Sequence, residues 1–220
     1  MDALENIKSR QSYRAFKPDP LPREVIQEII EAAGNSPTYM STQPWEMAVV
    51  TGKRRDQLSE KLLELAKNNA PFSPDVPPPS SWPAELDQRK NDHGARRLKT
   101  IGVEREDEEG REALRLLNFE FYGAPCVIFL YMDGSLGEWS IFDMGLFTQT
   151  LLLAAHARGI GSVIQASVTH YAKEIKDFLN ISGDKKLLVS IPMGYPAPEA
   201  VLNTYRSIKK KPEEFTTWYG

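Results

Sequence analysis

An apolar stretch between positions 140 and 158 constrains the fold of this 220-residue chain more than any other feature. Its apolar side chains would surround nearly the whole circumference of a helix: Leu146, Phe147, Leu151, Leu152, Leu153, Ala154 and Ala155. A helix that is apolar on every side is wrapped by other elements. The sequence therefore predicts a buried central helix, around which the rest of the chain folds.

Polar and small residues mark the ends of this helix. Ser140 and Asp143 form a plausible capping pair for its first free backbone N–H groups. Gly159 predicts its end, because glycine readily adopts the left-handed conformation of a helix terminus. A strand-like run follows at 162–167. We therefore expect the helix to fix the position of the bend and of the exposed backbone segment that follow it. We interpret that position as a binding site.

The helix and the overall composition argue against a membrane protein. The apolar stretch is interrupted or bounded by polar side chains: Asp143, Gln149, His156 and Arg158. Mean hydropathy is negative, and a net charge of −3 argues against nucleic acid as the main partner. The single Cys126 cannot form an internal disulfide, and residues 1–10 lack the apolar core of a signal peptide. We expect a cytoplasmic protein that binds neither nucleic acid nor a membrane.

Periodic patterns elsewhere predict one domain, residues 1–220, of interleaved helices and strands. Helical spacing is present at 2–9, 22–33, 53–67, 108–121 and 171–179. Strand-like runs are present at 47–51, 126–131, 162–167 and 187–191. Helices and strands interleaved around one buried helix indicate an α/β or α+β layered fold.

Two segments lack such a pattern. Residues 68–105 contain six prolines followed by a charged stretch, and loops of this length are usually functional covers or disordered segments. Phe72 and Trp82 within it favour a partly ordered lid over a site, with a mobile insertion of no role as the alternative. The mostly polar tail at 197–220 ends in aromatic residues that we expect to embrace a second subunit: Phe215, Trp218 and Tyr219.

Standard catalytic and metal-binding motifs are absent from the sequence. His93, His156 and His170 have no second ligand at a useful spacing for a metal. There is no G-x-S-x-G elbow, no Walker phosphate loop and no G-x-G-x-x-G turn. Cys126 lies within a strand-like run, where a buried and inert thiol is expected. We therefore predict no metal site and assign no catalytic side chain.

Four short motifs are informative when taken together. They are Arg10-Gln-Ser-Tyr-Arg14, Ser36-Pro-Thr-Tyr-Met-Ser-Thr-Gln-Pro-Trp45, Gly159-Ile-Gly-Ser162 and Gly194-Tyr-Pro196 with Arg206. In this order they resemble the FMN-dependent nitroreductase superfamily. Segments at 103–111, 118–125 and 164–167 are similar to those of its nitrobenzoate-reductase-like branch. Two residues depart from the family pattern, which has serine in place of Thr38 and often asparagine in place of Ser41.

The resemblance implies a nitroreductase-like α+β fold, with a mixed, mainly antiparallel sheet around the central helix. It also implies an intertwined homodimer with FMN at the subunit interface. Arg10, Ser12 and Arg206 would hold the FMN phosphate. Arg14 would lie nearer the pyrimidine end of the ring, Thr38 and its neighbours would come from the opposite subunit, and the backbone of 165–167 would approach the reactive ring nitrogen. The whole predicted FMN-binding set is Arg10, Gln11, Ser12, Tyr13, Arg14, Pro37, Thr38, Tyr39, Ser41, Gln165, Ala166, Ser167, Gly194 and Arg206.

The resemblance further implies an oxidoreductase in which hydride passes from NADH or NADPH to the flavin and then to a nitroaromatic compound or a quinone. Tyr39, Met40 and Phe72 are predicted walls of the cleft for this small aromatic substrate, with core packing as the alternative. Two other functions stay open. One is different flavin chemistry on the same fold, such as reductive dehalogenation, and the other is a flavin-binding sensor or store without turnover.

Overall fold

A sheet of four strands lies at the centre of the computed structural model, which describes residues 2–220. The strands are β1 (Glu46–Thr51), β2 (Cys126–Asp133), β3 (Gly161–Ser162) and β4 (Lys185–Gly194). They are antiparallel and ordered β1-β2-β4-β3. The helices of the described residues are α1 (Ala3–Ser9), α2 (Arg23–Ala33), α3 (Gly52–Lys67), α4 (Ala84–Thr100), α5 (Glu108–Leu116), α6 (Glu138–Ala157) and α7 (Ala172–Leu179).

Helices cover both faces of the sheet. Strand β2 is apolar along most of its length, and its side chains are buried on both faces. Ile128 and Leu130 belong to one buried cluster with residues of α2 and α6. Val127 and Phe129 point the other way, into a second cluster with residues of α3 and α7. Strands that are buried on both faces have such continuous apolar runs. The predicted α+β layered fold is confirmed, and its ladders are antiparallel apart from one isolated parallel bridge between Ser12 and Ser162.

Helix α6 is the predicted central helix, and its predicted end is confirmed. Gly159 is left-handed, with φ of 71°. Its N–H donates to the carbonyl of His156, and the N–H of Ile160 donates to the carbonyl of Ala155. This pair of bonds is the Schellman arrangement, which satisfies the last free carbonyls of a helix.

The predicted start of α6 is wrong, because the helix begins at Glu138 and Asp143 lies inside it. The carboxylate of Asp143 is buried and accepts the backbone N–H of Tyr39 at 3.1 Å instead of capping its own helix. Burial also covers only one side of α6. Trp139 is 66% exposed and Phe142 is 60% exposed, so one apolar face of the helix is uncovered in a single chain.

The predicted strand at 162–167 is wrong beyond its first residue. Strand β3 ends at Ser162, but two of the following residues still bond to β4: the N–H of Val163 donates to the carbonyl of Pro192 at 3.2 Å, and Gln165 exchanges two backbone hydrogen bonds with Ser190. The chain leaves the sheet only after Gln165, and Ile164 is 45% exposed. The segment at 163–167 is therefore held by β4 at its start and is available to line a surface site.

The predicted helix at 108–121 is too long, since α5 ends at Leu116. After it, Phe121, Tyr122 and Gly123 all have positive φ, from 54° to 76°. A side chain with a Cβ rarely adopts this conformation, so the turn needs support from its surroundings. That support includes the buried aromatic rings of Phe121 and Tyr122.

The proline-rich insertion contains one regular element that the sequence pattern did not predict, helix α4. No residue of α4 is buried, and its first turn contains Glu85 and Asp87, which favour the positive end of the helix dipole. The role of 68–105 as a lid stays a prediction. So does the role of the tail, where Trp218 is 88% exposed and Tyr219 is 93% exposed.

Three further features of the described residues bear on function. None of the helices within 2–220 combines the length and the apolar character needed to cross a bilayer. Among the same residues, no three His, Cys, Asp or Glu side chains are grouped so as to hold a metal ion. Burial raises the pKa of the Cys126 thiol to about 12, which makes it the inert side chain that its position in β2 indicates.

Candidate functional site

The two ends of the chain meet beside β3. The backbone N–H of Tyr13 donates to the carbonyl of Ser162 at 3.1 Å, on one side of the N-terminal segment. On its other side the N–H of Lys17 donates to the carbonyl of Tyr195 at 2.8 Å. The segment at 10–17 is thus held between parts of the chain that are more than 140 residues away in sequence.

Asn203 fastens this junction through its side chain. Its Nδ2 donates to the carbonyls of Ala15 and Ala197, each at 2.9 Å. Its Oδ1 accepts the backbone N–H of Arg14 at 2.7 Å. The residue is 8% exposed, and a buried amide with three such bonds fixes the backbone from which Arg14 projects.

Two glycines allow the close packing of this junction. A Cβ on Gly161 would lie 2.7 Å from the ring of Tyr13, and a Cβ on Gly194 would lie 2.6 Å from Pro125. Real Cβ atoms do not approach other heavy atoms so closely, so both positions need glycine. A Cβ on Gly194, which belongs to the predicted FMN-binding set, would also lie 3.2 Å from the ring of Phe16 in the N-terminal segment.

A cavity of about 300 Å³ opens at this junction. Its lining contains five cationic side chains and, among the described residues, neither Asp nor Glu. The lining residues are Lys8, Arg10, Gln11, Ser12, Arg14, His93, Tyr205, Arg206, Ser207 and Lys209. Such an excess of positive charge, with no carboxylate to neutralise it, is typical of a site for a phosphate or another oxyanion.

The charges in this cavity act on one another. Burial lowers the pKa of the Arg10 guanidinium, Tyr13 opposes that shift, and Arg206 adds to it. Burial also lowers the pKa of the His156 imidazole, and Arg10 and Arg206 lower it further. Arginine stays protonated at neutral pH, so its neighbours have to tolerate the positive charge or be neutralised by a ligand. These shifts indicate a positive field, and the described residues that line the cavity contain no carboxylate to balance it.

Uncharged groups in the cavity add hydrogen-bonding capacity. The buried Oε1 of Gln11 has no hydrogen-bond partner within residues 2–220, whereas its Nε2 donates to the carbonyl of Asn203 at 3.3 Å. A buried acceptor without a donor costs free energy unless a ligand supplies that donor. Cations for an oxyanion and a free acceptor for a hydroxyl group suit a ligand that carries both.

The segment at 164–167 is fixed through Asn118. Gln165 Nε2 donates to the backbone carbonyl of Asn118 at 2.9 Å, and Ser167 Oγ donates to its Oδ1 at 3.2 Å. The hydroxyl of Tyr122 donates to the same Oδ1 at 2.8 Å. The Gln165 side chain is thus committed to holding the segment. The backbone N–H groups of Ala166 and Ser167 have no acceptor among the described residues and can serve a ligand.

This network extends toward the cationic cavity. Burial lowers the pKa of the Arg14 guanidinium, Arg97 lowers it further, and Tyr122 opposes the shift. Tyr122 therefore interacts with Arg14 as well as with Asn118. Contacts from Arg14 through Tyr122 and Asn118 thus link the cavity to the segment at 164–167.

Phe72 lies beside the same segment. Its ring is 4.7 Å from that of His170 and 5.5 Å from that of Tyr171, and it is 57% exposed. The N–H of Ser73 donates to the carbonyl of His170 at 2.7 Å, which fixes the start of the insertion here. Phe72 is therefore mostly exposed beside His170 and Tyr171, and its role as a wall of the substrate cleft stays a prediction.

The loop at 36–45 is on a different surface. Tyr39 is 57% exposed and its ring stacks on Trp139 at 5.5 Å, while Met40 is 80% exposed. Met40, Ser41 and Gln43 have positive φ, from 47° to 58°. The predicted residues of this loop do not line the cationic cavity of their own chain: Pro37, Thr38, Tyr39, Met40 and Ser41.

Comparison with known proteins assigns a family to this arrangement. The model of the nitroreductase family matches residues 7–195, which is most of the chain. The chain belongs to the nitroreductase family. The family predicted from the four motifs is therefore confirmed.

Two relatives and one solved structure within the nitroreductase family are similar to this chain over most of its length. A 4-nitrobenzoate reductase of Pseudomonas putida is 33% identical over 214 residues, 97% of this chain and 94% of the relative. Nitroreductase NfnB of Mycolicibacterium smegmatis is 34% identical over 201 residues, 91% and 85% of the two chains. The crystal structure of the FMN-dependent nitroreductase NfnB from Mycobacterium smegmatis in complex with NADPH matches with a TM-score of 0.95, at 32% identity over 99% of this chain and 98% of that chain.

Sequence reasoning missed several polar residues that build this nitroreductase-family site. Asn118 and Tyr122 were part of a quoted motif at 118–125, which was the signal that could have identified them. Asn203 and His93 lie in segments without any motif, and their contacts are visible only in the structure. Asp143 was recognised, but its partner was expected in its own helix and is Tyr39 instead.

Proposed function

We propose that this protein is an FMN-dependent nitroreductase that uses NADH or NADPH to reduce nitroaromatic compounds or quinones. The proposal rests on its membership of the nitroreductase family and on relatives named 4-nitrobenzoate reductase and nitroreductase NfnB. When bound, FMN supplies the hydride-transfer chemistry, and the protein supplies position and electrostatics.

The observation that supports the proposal most directly is the cationic cavity at the junction of the chain ends. A phosphate with nearly two negative charges would be held by Arg10, Ser12 and Arg206, since arginine donors form charge-assisted bonds with phosphate oxygens. The unpaired Oε1 of Gln11 would accept a hydrogen bond from a hydroxyl of the ribityl chain. The residues of the cavity thus fit the phosphate and the ribityl chain of FMN.

Other residues of the chain orient the ligand and set the charge around it. Arg14 brings a positive charge that favours a negatively charged ring edge. The backbone N–H groups of Ala166 and Ser167 are free donors on a segment that Asn118 holds in place. Phe72 offers an apolar ring beside that segment for an aromatic substrate. We assign no side chain as general acid or base.

We further propose a homodimer in which the loop at 36–45 completes the site of the other subunit. Trp139 and Phe142 leave an uncovered apolar face on α6, and Tyr39 and Met40 are exposed next to it. Exposed apolar area of this kind usually marks an interface. The exposed aromatic residues of the tail at 197–220 would embrace the partner. A cytoplasmic location, expected from the single cysteine, is part of the same proposal.

The proposal is tested on the purified protein. It should be yellow, dimeric, and release FMN on denaturation, and anaerobic mixing with NADPH should bleach the flavin rapidly. A panel of nitroarenes, quinones and haloaromatics then sorts the reaction, because a dehalogenase would turn over only the last of these. Bound flavin that NADPH and NADH fail to bleach would favour a sensor or store. A colourless monomer that ignores added FMN would refute the proposal.

A further inference from the structure

Helix α4 of the insertion is docked onto the segment at 205–210 through one polar face. The Nζ of Lys210 lies 2.7 Å from a carboxylate oxygen of Glu85, and Arg89 donates to the carbonyl of Ile208 at 3.3 Å. These two α4 residues are four positions apart, which puts them on the same side of the helix. The insertion is therefore tied to the C-terminal segment that supplies Arg206.

One turn further along this face, α4 reaches the cavity. The Nδ1 of His93 lies 3.0 Å from the hydroxyl of Tyr205, and both residues line the cavity. Arg97 follows four positions later and is half-buried. Among the described residues, neither Arg97 nor Arg14 takes part in an ion pair. This face of α4 thus places Arg97, which has no ion-pair partner among these residues, at the Arg14 end of the site.

The charges at this end form a group of their own. Burial lowers the pKa of the His93 imidazole, and Arg14 and Arg97 lower it further, followed by Arg96 and Lys209. At the other end, Arg10 and Arg206 act on each other and on His156. An oxyanion contacts only the donors that surround it directly. One phosphate beside Arg10 and Arg206 would therefore leave the positive charge near Arg14 without a counter-charge.

We propose that Arg97 and His93, beside Arg14, form a second oxyanion subsite, which binds an anionic group of the ligand that follows FMN into the site. Its chemistry fits a carboxylate on the aromatic substrate or the 2′-phosphate of NADPH. The inference rests on the proposed function in one respect, that the FMN phosphate occupies the Arg10 end. It makes the insertion a specificity element and Arg97 the residue that decides it.

The test measures binding to the oxidised, FMN-loaded protein, so that no turnover takes place. Changes in flavin absorbance report the dissociation constants of matched pairs: 4-nitrobenzoate against nitrobenzene, and NADP⁺ against NAD⁺. The variants are Arg97→Gln, Arg97→Lys and Arg105→Gln. Arg105 is an exposed arginine just beyond α4 and serves as the matched control. FMN content is measured separately for each variant.

In Arg97→Gln, we expect the anionic member of at least one pair to lose about tenfold or more in affinity, since one charge-assisted contact is removed. The uncharged or unphosphorylated member should change little, Arg97→Lys should recover part of the loss, and Arg105→Gln should behave as wild type. The pair that responds identifies the carboxylate or the phosphate as the ligand.

Three results would overturn the subsite: equal losses for both members of each pair, no loss in either pair, or a loss of FMN content in Arg97→Gln instead. The last of these would mean that Arg97 contacts FMN directly. A wild-type protein without bound FMN would refute the proposed function itself, which keeps the two failures apart.

Discussion

The cationic cavity and the loop at 36–45 both carry predicted FMN-binding residues, yet they are built in opposite ways. The cavity is made within one chain, where Asn203 and backbone hydrogen bonds fix its walls. The loop is exposed and contains Met40, Ser41 and Gln43 in the left-handed region. It is held to α6 by the buried carboxylate of Asp143 and by the stacking of Tyr39 on Trp139. The contrast matches the proposed dimer, in which one half of the site is formed in each chain and the other half comes from the partner.

Energetics explain why such a loop needs a function. A residue with a Cβ in the left-handed region costs on the order of 1 kcal/mol or more, and such strain persists where the surroundings over-determine it. Asp143 is 2% exposed and accepts the N–H of Tyr39 through both oxygens, at 3.1 and 3.2 Å. Strain of this kind often marks a functional segment, which fits the role that we propose for the loop at the subunit interface.

The largest effect is expected from a substitution in the cationic cavity, the half of the site that each chain forms by itself. We expect Arg206→Ala to weaken FMN binding by about ten- to a hundredfold, because a charge-assisted contact to phosphate contributes about 1.5–3 kcal/mol. The measurement is the dissociation constant of FMN, from quenching of flavin fluorescence. Lys210→Ala is the control, since Lys210 pairs with Glu85 outside the cavity. Equal FMN retention in the two variants would contradict the assignment of Arg206.

A second and smaller effect tests whether the loop at 36–45 and the cavity of one site come from different subunits. Ser41→Ile places a β-branched residue at a φ of 58°, which should displace the loop and lower FMN content. If the loop acts on the other subunit, heterodimers of Ser41→Ile and Arg206→Ala contain one intact site out of two. FMN content should then recover to about half of the wild-type value, as two-fold symmetry requires.

Differently tagged copies, purified as heterodimers, provide the sample for this measurement. The two homodimeric variants serve as controls for each defect alone. Heterodimers with no more FMN than either homodimer would show that the loop serves its own chain, and the contrast between the two halves would disappear.

The smallest expected effect concerns the histidines. Burial and nearby cations lower the pKa values of His93 and His156, while burial alone lowers that of His170. A histidine whose pKa is lowered by folding takes up its proton more readily when unfolded, so stability should fall as the pH drops below neutrality. Inorganic phosphate should raise the pKa values of the first two and leave His170, the internal control, unchanged. NMR titration of the ring protons measures all three, and a uniform response would contradict the cationic cavity as the phosphate site.

Sequence patterns predicted the elements whose stability comes from apolar burial. Helix α6 and strand β2 are long and apolar, so their existence followed from the sequence, as did the end of α6 at Gly159. Helix α4 was missed because it is polar and is held by contacts with Tyr205, Ile208 and Lys210, more than 100 residues away. Its stability comes from partners that periodicity does not reveal.

The same distinction applies to the site. Arg10 and Arg206 were predicted because they stand in recognisable motifs, and the structure brings them to one cavity. Asn203 and Asn118 hold the backbone on which such residues stand, and each acts across a long sequence separation. A single amide in a polar segment carries no local signal of that role. The chemistry of the cavity was therefore easier to predict than the residues that position it.

The meeting of the two chain ends has a consequence for biosynthesis. Tyr13 and Lys17 are synthesised well before Tyr195 and Asn203, whose carbonyl and side chain bond to the N-terminal segment. Contacts at such large sequence separation are slow to form, since a long loop must close first. The cavity can therefore be completed only after Asn203 and Arg206 have been synthesised, and a ligand that needs the whole cavity can bind only from that point on.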